Sequence, residues 1–300
     1  MTIDIKVPAS AANIGSGIDC FGIALPLWLR VKVKQSEQLE IVFGEGFERE
    51  IPLDANLFLR AAQRIFEKFG EPLPRMRVEM TTDIPEARGL ASSASALVAG
   101  VLCANEWLGS PLSLEELITE AAALEGHPDN VAPCALGGFT VAATIEGKVL
   151  YKRLDPRGLR VAVAVPDYEL STEKARSVLP ETVSLGDAIA QLQRACLLVA
   201  ALADGDRSLL AAASEDLIFT PARRGLIKGF DEVCAAAKGA GAYCAMISGA
   251  GPTLMALCDK ENAGAVALAM ESAFKELGIN AKSYALEVDN IGASCVKKEG

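Results

Sequence analysis

Residues 92–108 place Ala, Leu and Val on every side of one helix and leave it no polar face. A helix that is apolar all round has to be covered by other layers. The rest of the chain must therefore wrap it. The stretch before it, Arg75 to Thr82, alternates, with Met76, Val78 and Met80 on one face, and reads as a strand. Pro85 to Ala91 lies between the two as a loop. A strand, a glycine turn and a buried helix that opens on small hydroxyl residues thus sit side by side.

The remaining periodicities divide the chain in two. Residues 3–7 form a strand, residues 13–22 a glycine-rich loop, then an extended stretch runs to about 34 and another strand covers 39–43. Asp54 to Gly70 reads as a helix stopped by glycine. Ser113-Leu-Glu-Glu116 is a capping box that starts a helix reaching Leu124. Residues 137–145 and 149–154 read as a hairpin around Glu146-Gly147-Lys148. After Asp155-Pro156-Arg157-Gly158 come a strand at 160–165, helices at 184–204, 206–214 and 230–240, strands at 242–247 and 253–258, a helix at 261–277 and a strand at 281–288. The expectation is an α+β fold of two domains, 1–157 and 158–300, packed with a cleft between them. The segment Ala293 to Gly300 is expected to fray.

Composition excludes some functions. The net charge is −10, and no Lys/Arg cluster offers the phosphate contacts that nucleic acid requires. A polyanionic ligand would have to be met locally, by backbone N–H groups, a few cations and a metal. No two of the eight cysteines are spaced C-x-x-C, so zinc and dithiol chemistry find no support. Free thiols fit a reducing, cytoplasmic compartment. No apolar run reaches about 18–20 residues without a polar interruption, and the N-terminus has no signal-peptide pattern, so no membrane partner is expected.

Four segments carry chemistry. In Pro85-Glu86-Ala87-Arg88-Gly89-Leu90-Ala91-Ser92-Ser93-Ala94-Ser95, a helix N-terminus offers unpaired N–H groups and the positive end of a dipole. Small side chains let a phosphate reach them. From this segment alone a serine-capped core helix is an equal reading, and the Walker A spacing is absent. In Pro8 to Gly22, Asn13 and Asp19 lie among Gly15, Gly17 and Gly22. The pair suits a polar substrate, with Asp19 for an ammonium group, although a plain glycine-rich turn explains the pattern slightly better. Ser248-Gly249-Ala250-Gly251-Pro252-Thr253 is either a tight turn or a wall lying against a ligand. Glu125-Gly126-His127-Pro128-Asp129-Asn130 holds the only histidine of the chain. Such a density of polar groups beside apolar helices is costly unless it serves a site. Glu125 suits Mg²⁺, which takes one or two carboxylates together with phosphate oxygens.

In order and spacing, these segments resemble the three motifs of the GHMP kinases. The run 125–133, with Gly137-Gly138-Phe139 after it, is similar to the homoserine kinase branch. So are Ser171-Thr172-Glu-Lys-Ala-Arg176 and Pro221-Ala-Arg223. The resemblance extends from Val7 to about Cys258. It departs at Ala91, where the family's loop usually has glycine, and at Ala222, where an aromatic residue is common.

What the resemblance implies is specific. The fold would be a GHMP N-terminal domain followed by a ferredoxin-like C-terminal domain. ATP would lie with its adenine near Asn56 and Leu57 and its phosphates on the loop, with Pro85 to Ser95 as the binding segment. Ser93 and Glu125 would hold Mg²⁺. L-Homoserine would be held by Asn13, Asp19, His127, Asn130, Arg176 and Arg223, with Asn130, Asp129, Arg176 and Thr172 as the catalytic candidates. The product would be O-phospho-L-homoserine, in threonine biosynthesis, and the assembly a homodimer. The alternatives are a GHMP kinase for another alcohol, of threonine, mevalonate or shikimate type, and a nucleotide-binding regulator that has lost catalysis.

Overall fold

The computed structural model describes residues 1–298. In chain order its elements are β1 (Thr2–Ala12), β2 (Phe21–Gln35), β3 (Glu40–Phe43), α1 (Leu57–Lys68), β4 (Met76–Thr82), α2 (Ser92–Trp107), α3 (Leu114–Glu125), α4 (Val131–Leu136), β5 (Phe139–Ile145) and β6 (Lys148–Leu154). There follow β7 (Leu159–Pro166), α5 (Thr172–Ser177), α6 (Leu185–Asp204), α7 (Leu210–Ala213), α8 (Phe219–Arg223), α9 (Phe230–Gly239), β8 (Cys244–Ile247), β9 (Leu254–Asp259), α10 (Ala263–Glu276), β10 (Ala281–Glu287) and β11 (Ser294–Lys298).

The first sheet runs β11-β1-β2-β4-β3, and the β5–β6 hairpin attaches to the end of β2. That hairpin turns through Glu146 and Gly147, both with positive φ, the geometry a two-residue turn between twisted strands requires. The helix α2 lies under this sheet, with Ala94, Leu97, Val98, Ala99, Val101, Cys103 and Ala104 all buried. It meets α1 at Gly100, where an added Cβ would lie 2.2 Å from the carbonyl oxygen of Phe58. The even apolarity of residues 92–108 thus has its cause: sheet on one side, helices on the others.

The second sheet runs β10-β7-β9-β8 with every pair antiparallel. Counted within the domain, this is order 4-1-3-2, the ferredoxin-like arrangement, with α9 and α10 packed against the sheet. The core of the first domain continues through Val161, Val163, Leu198, Met246 and Leu257, so the two halves share one apolar interior.

Two expectations need correction. The boundary at 157/158 assigns the C-terminus to the second domain, yet β11 returns to the first sheet and pairs with β1, Thr2 opposite Lys298 and Lys6 opposite Ser294. The same pairing means that Ser294–Lys298 do not fray, because their N–H and C=O groups complete the sheet edge; Glu299 and Gly300 lie outside the described residues. Three short helices, α4, α5 and α8, have no counterpart in the sequence periodicities. Each spans less than two turns, too few residues for a periodic pattern to show.

Candidate active site

The site is assembled where the ends of four loops meet. Gly89 has φ +78°, and a Cβ there would lie 2.3 Å from the carbonyl oxygen of Ser248. The Ser248 hydroxyl donates to the Gly89 carbonyl at 2.7 Å, and the Gly249 N–H donates to the Ala12 carbonyl at 2.8 Å. The three glycine-bearing motifs of the sequence are therefore in direct contact. The fourth joins through Ser10, whose hydroxyl donates to Asn130 Oδ1 at 3.0 Å.

The loop before α2 is bent into the left-handed region at Ala87, Gly89 and Ala91, with φ of +51°, +78° and +61°. Ala91 is the N-cap of α2 and supplies no side-chain hydrogen bond, so the first amides of this helix are left for another acceptor. A non-glycine residue in that conformation costs roughly 1–2 kcal/mol. It persists because the contacts with the 248–252 turn fix the loop around it. Ala91 thus takes the left-handed conformation with its methyl in place.

Two cavities open on this loop. The inner one, about 120 Å³, is lined by Asn13, Glu125, His127, Asn130, Arg176 and Arg223, together with residues 87–93 and 249–251. The outer one, about 340 Å³, is lined by Phe47, Asn56, Leu57, Glu86, Ala96 and others. Ala87, Ser92, Ser93, Leu170 and Thr172 line both, so the cavities share a wall at the start of α2.

The electrostatics of the inner cavity are specific. Glu125 receives a short hydrogen bond from the Ser93 hydroxyl. Burial pushes its carboxyl above the usual range, with the Ser93 bond and the His127 charge opposing. Arg176 grips Asp19 with two prongs, at 2.6 and 3.1 Å, and that bond raises its pKa. Asp19 is presented by Asn13, whose Oδ1 accepts from the Asp19 N–H at 2.8 Å and whose Nδ2 donates to the Gly249 carbonyl at 3.0 Å.

Arg223 is 4% exposed. Its Nε and Nη1 meet only the carbonyl oxygens of Ala175 and Gly249, at 3.2 and 3.4 Å, and among the described residues it forms no ion pair. Burial, and then the charge of Arg176, lower its pKa. A buried guanidinium with no carboxylate partner, lining a cavity, suits an anionic ligand.

The structure gathers most of the expected residues and leaves some aside. Asn13, His127, Asn130, Arg176, Arg223, Ser93, Glu125 and Thr172 line the inner cavity, and Asp19 reaches it through Arg176. Asn56 and Leu57 line the outer one, though the Asn56 side chain also caps α1 through the Leu59 N–H at 3.1 Å. Pro85, Ala94 and Ser95 line neither. Ala94 and Ser95 face the core, and the Ser95 hydroxyl donates back to the Ser92 carbonyl. The Arg88 side chain turns away to Glu169 at 3.5 Å.

Asp129 is the clearest departure. It is fully buried behind His127, with its Oδ1 2.5 Å from His127 Nδ1. It holds the imidazole and is itself shielded from the cavity. Burial lowers the His127 pKa, but the bond to Asp129 and the charges of Asp129, Glu125 and Asp19 raise it overall. Asp19, His127 and Asp129 bring ligand atoms within 4.8 Å of one another, but His127 is already bonded to Asp129 and Asp19 to Arg176. The serines that tie the motifs together, Ser10 and Ser248, both fully buried, were not singled out from sequence. Ser10, a polar residue within the otherwise apolar run 7–12 of β1, was an available signal; Ser248 follows the last residue of β8.

Comparison with known proteins agrees with this arrangement. The model of the GHMP kinases N terminal domain matches residues 56–138, and that of the GHMP kinases C terminal matches 198–276. The two-domain fold is that of a GHMP kinase. A homoserine kinase of Moorella thermoacetica is 43% identical over 292 residues, 96% of this chain and 98% of the relative. One of Microchaete diplosiphon is 40% identical over 301 residues, 99% and 98% of the two chains. The crystal structure of homoserine kinase from Cytophaga hutchinsonii superposes with a TM-score of 0.89 at 32% identity, covering 98% of this chain and 97% of that one. The chain belongs to the homoserine kinase family.

Proposed function

We propose a division of labour for the two cavities: the outer holds the nucleotide, the inner holds L-homoserine, and the γ-phosphoryl group crosses at the wall they share. The reaction is that of the family, transfer from ATP to the side-chain hydroxyl to give O-phospho-L-homoserine. The observation that carries the acceptor assignment is the buried, carboxylate-free Arg223 beside the Asp19–Arg176 pair. A zwitterionic amino acid satisfies both. Its carboxylate takes the arginine forks, and its ammonium takes Asp19.

The phosphates lie on the amides of Gly89–Ser93 at the start of α2, where the dipole and the uncapped N–H groups favour an anion. Ser93 Oγ and Glu125 are hard oxygen donors placed together at that helix end, the set Mg²⁺ accepts alongside phosphate oxygens. When bound, the ion would draw charge from the transferring phosphate. The protein supplies orientation. Asn130, with its Oδ1 occupied by Ser10, turns its amide nitrogen to the acceptor hydroxyl. His127, hydrogen-bonded to Asp129, lines the same cavity; burial lowers its pKa, but the bond to Asp129 and the neighbouring carboxylates raise it overall. Phosphoryl transfer asks for positioning and charge stabilisation more than for a committed base.

A coupled ADP-release assay over L-homoserine, L-threonine, mevalonate and shikimate tests the assignment. Turnover is expected with L-homoserine and at least roughly 100-fold less with the two acids that lack an ammonium, as for a site whose buried polar groups are left unpaired. Equal turnover with mevalonate or shikimate contradicts the reading. No turnover with any alcohol favours a nucleotide-binding regulator.

A cytoplasmic location and a homodimer complete the proposal, with no nucleic acid or membrane as partner. The eight cysteines are all free thiols. Helix α6 has the length and hydropathy of a membrane span, but Asp187, Gln191, Gln193 and Arg194 interrupt it, and Gln191, Leu198, Ala201 and Leu202 are buried in the protein. Its outer face exposes Leu185, Ile189 and Leu192, a stripe that a second copy would cover. Sedimentation velocity at micromolar concentration decides this, and a monomer ends the dimer proposal.

A further inference from the structure

Gln191 lies on the inner face of α6 and lines neither cavity. It is 7% exposed, and Leu198, Ala201 and Leu202 are the other buried residues of that helix. At such a position packing alone calls for a hydrophobe. A buried amide is retained at a cost unless its hydrogen bonds are made, and here they are. Its Nε2 donates to the Ser16 carbonyl at 3.0 Å and to Asp216 Oδ1 at 2.9 Å. Its Oε1 accepts from the Leu217 N–H at 3.0 Å.

The two ends of this bridge lead to two parts of the inner cavity's wall, which also meet at the Gly249 carbonyl, where Asn13 Nδ2 and Arg223 Nη1 both donate. Ser16 belongs to the loop that presents Asn13 and Asp19. Asp216 lies three residues before α8 and accepts from its first turn: its Oδ1 accepts from the N–H groups of Ile218 and Phe219, each at 3.1 Å, and its Oδ2 from that of Thr220 at 2.5 Å. The last residue of α8 is Arg223. One side-chain amide therefore joins the loop that carries the acid of the site to the acid-capped helix that carries its buried arginine. A second tie, from the Ser16 hydroxyl to the Ala213 carbonyl at 3.2 Å, joins the same loop to the chain just before Asp216. Losing the amide would loosen this separation without detaching the two parts.

We propose that Gln191 is a positioning residue that sets the distance between Asp19 and Arg223, and so the length of zwitterion that the inner cavity accepts. This rests on the reading of that cavity as the amino-acid site. Gln191 touches no substrate and acts through Ser16 and Asp216.

The test uses the full chain and two variants, with Arg223→Ala alongside. Gln191→Met keeps the length and removes the hydrogen bonds. Gln191→Asn keeps the amide on a stem one methylene shorter, so that it cannot span both partners. For Gln191→Met, the KM for L-homoserine is expected to rise roughly tenfold to 100-fold, the range that follows from misplacing a substrate group by about 1 Å. The KM for ATP should stay within about twofold, because Gln191 contacts nothing at the outer cavity. The ratio of kcat/KM for L-homoserine over L-serine, one methylene shorter, should fall. Gln191→Asn should move the same quantities in the same direction and keeps the test open if the methionine variant fails to fold. A purely structural role would lower the Tm and the active fraction and leave the KM and the ratio as they are. That pattern in a folded variant, with Arg223→Ala still raising the KM for L-homoserine, overturns the inference alone. An unchanged KM in Arg223→Ala overturns the site reading and this inference with it.

Discussion

Glu125→Gln is expected to give a folded protein whose kcat, at saturating ATP, Mg²⁺ and L-homoserine, is lower by roughly 100-fold or more, a barrier increase of about 2.7 kcal/mol. Glutamine keeps the volume and can still accept from the Ser93 hydroxyl, the one hydrogen bond the Glu125 side chain makes among the described residues. Burial works against the charged form of this carboxyl, so removing the charge asks no stability of the fold. What is lost is the anionic oxygen beside the start of α2. The measurement is kcat by coupled ADP release together with a thermal melt. A variant with full turnover would remove Glu125 from any part in holding the cation. A variant that no longer melts cooperatively would show that its carboxylate is structural.

The arginines give the second large effect, and the structure separates them. Arg223→Ala should lower kcat/KM for L-homoserine by roughly 1.5–3 kcal/mol, the scale of a charge-assisted hydrogen bond, or about ten- to 150-fold. Among the described residues no acid is stranded by the change, since the guanidinium meets only carbonyl oxygens there. Arg176→Ala should lose a comparable amount, but it also releases Asp19. That pair has side chains 39% and 41% exposed, so its contribution to stability is at most about 1 kcal/mol. Both variants should keep the KM for ATP. Steady-state kinetics with each substrate varied in turn checks this, and an unchanged kcat/KM for L-homoserine in either variant removes that arginine from the carboxylate site.

How far the sequence carries depends on the range of each interaction. Helix α2, the capping box at Ser113 and the turn at Glu146-Gly147 are written in short-range patterns, and each forms where the pattern places it. The glycine motifs were legible as motifs because glycine marks a backbone position. Their mutual contact was not, since the Gly89–Ser248 approach joins residues far apart in the chain. Asp129 shows the same limit. Beside His127 and Asn130 it reads as one more candidate for the chemistry, and only the packing of α4 against β1 and β2 reveals that it sits behind the imidazole. The return of β11 to β1 has no local signal, because a five-residue edge strand exposed at all but Cys295 resembles a tail. Gln191 was invisible for a related reason: a glutamine inside a long helix reads as surface until its partners are known.

The account depends most on where the transferred phosphate sits. A crystal structure with a non-hydrolysable ATP analogue, Mg²⁺ and L-homoserine is the direct test. The account predicts the β- and γ-phosphates on the amides of Gly89–Ser93, the amino acid between Asp19 and Arg223, and its hydroxyl oxygen roughly 3–3.5 Å from the γ-phosphorus, as a near-attack arrangement requires. Phosphates bound away from the start of α2, or an amino acid outside the cavity of Arg176 and Arg223, would contradict it.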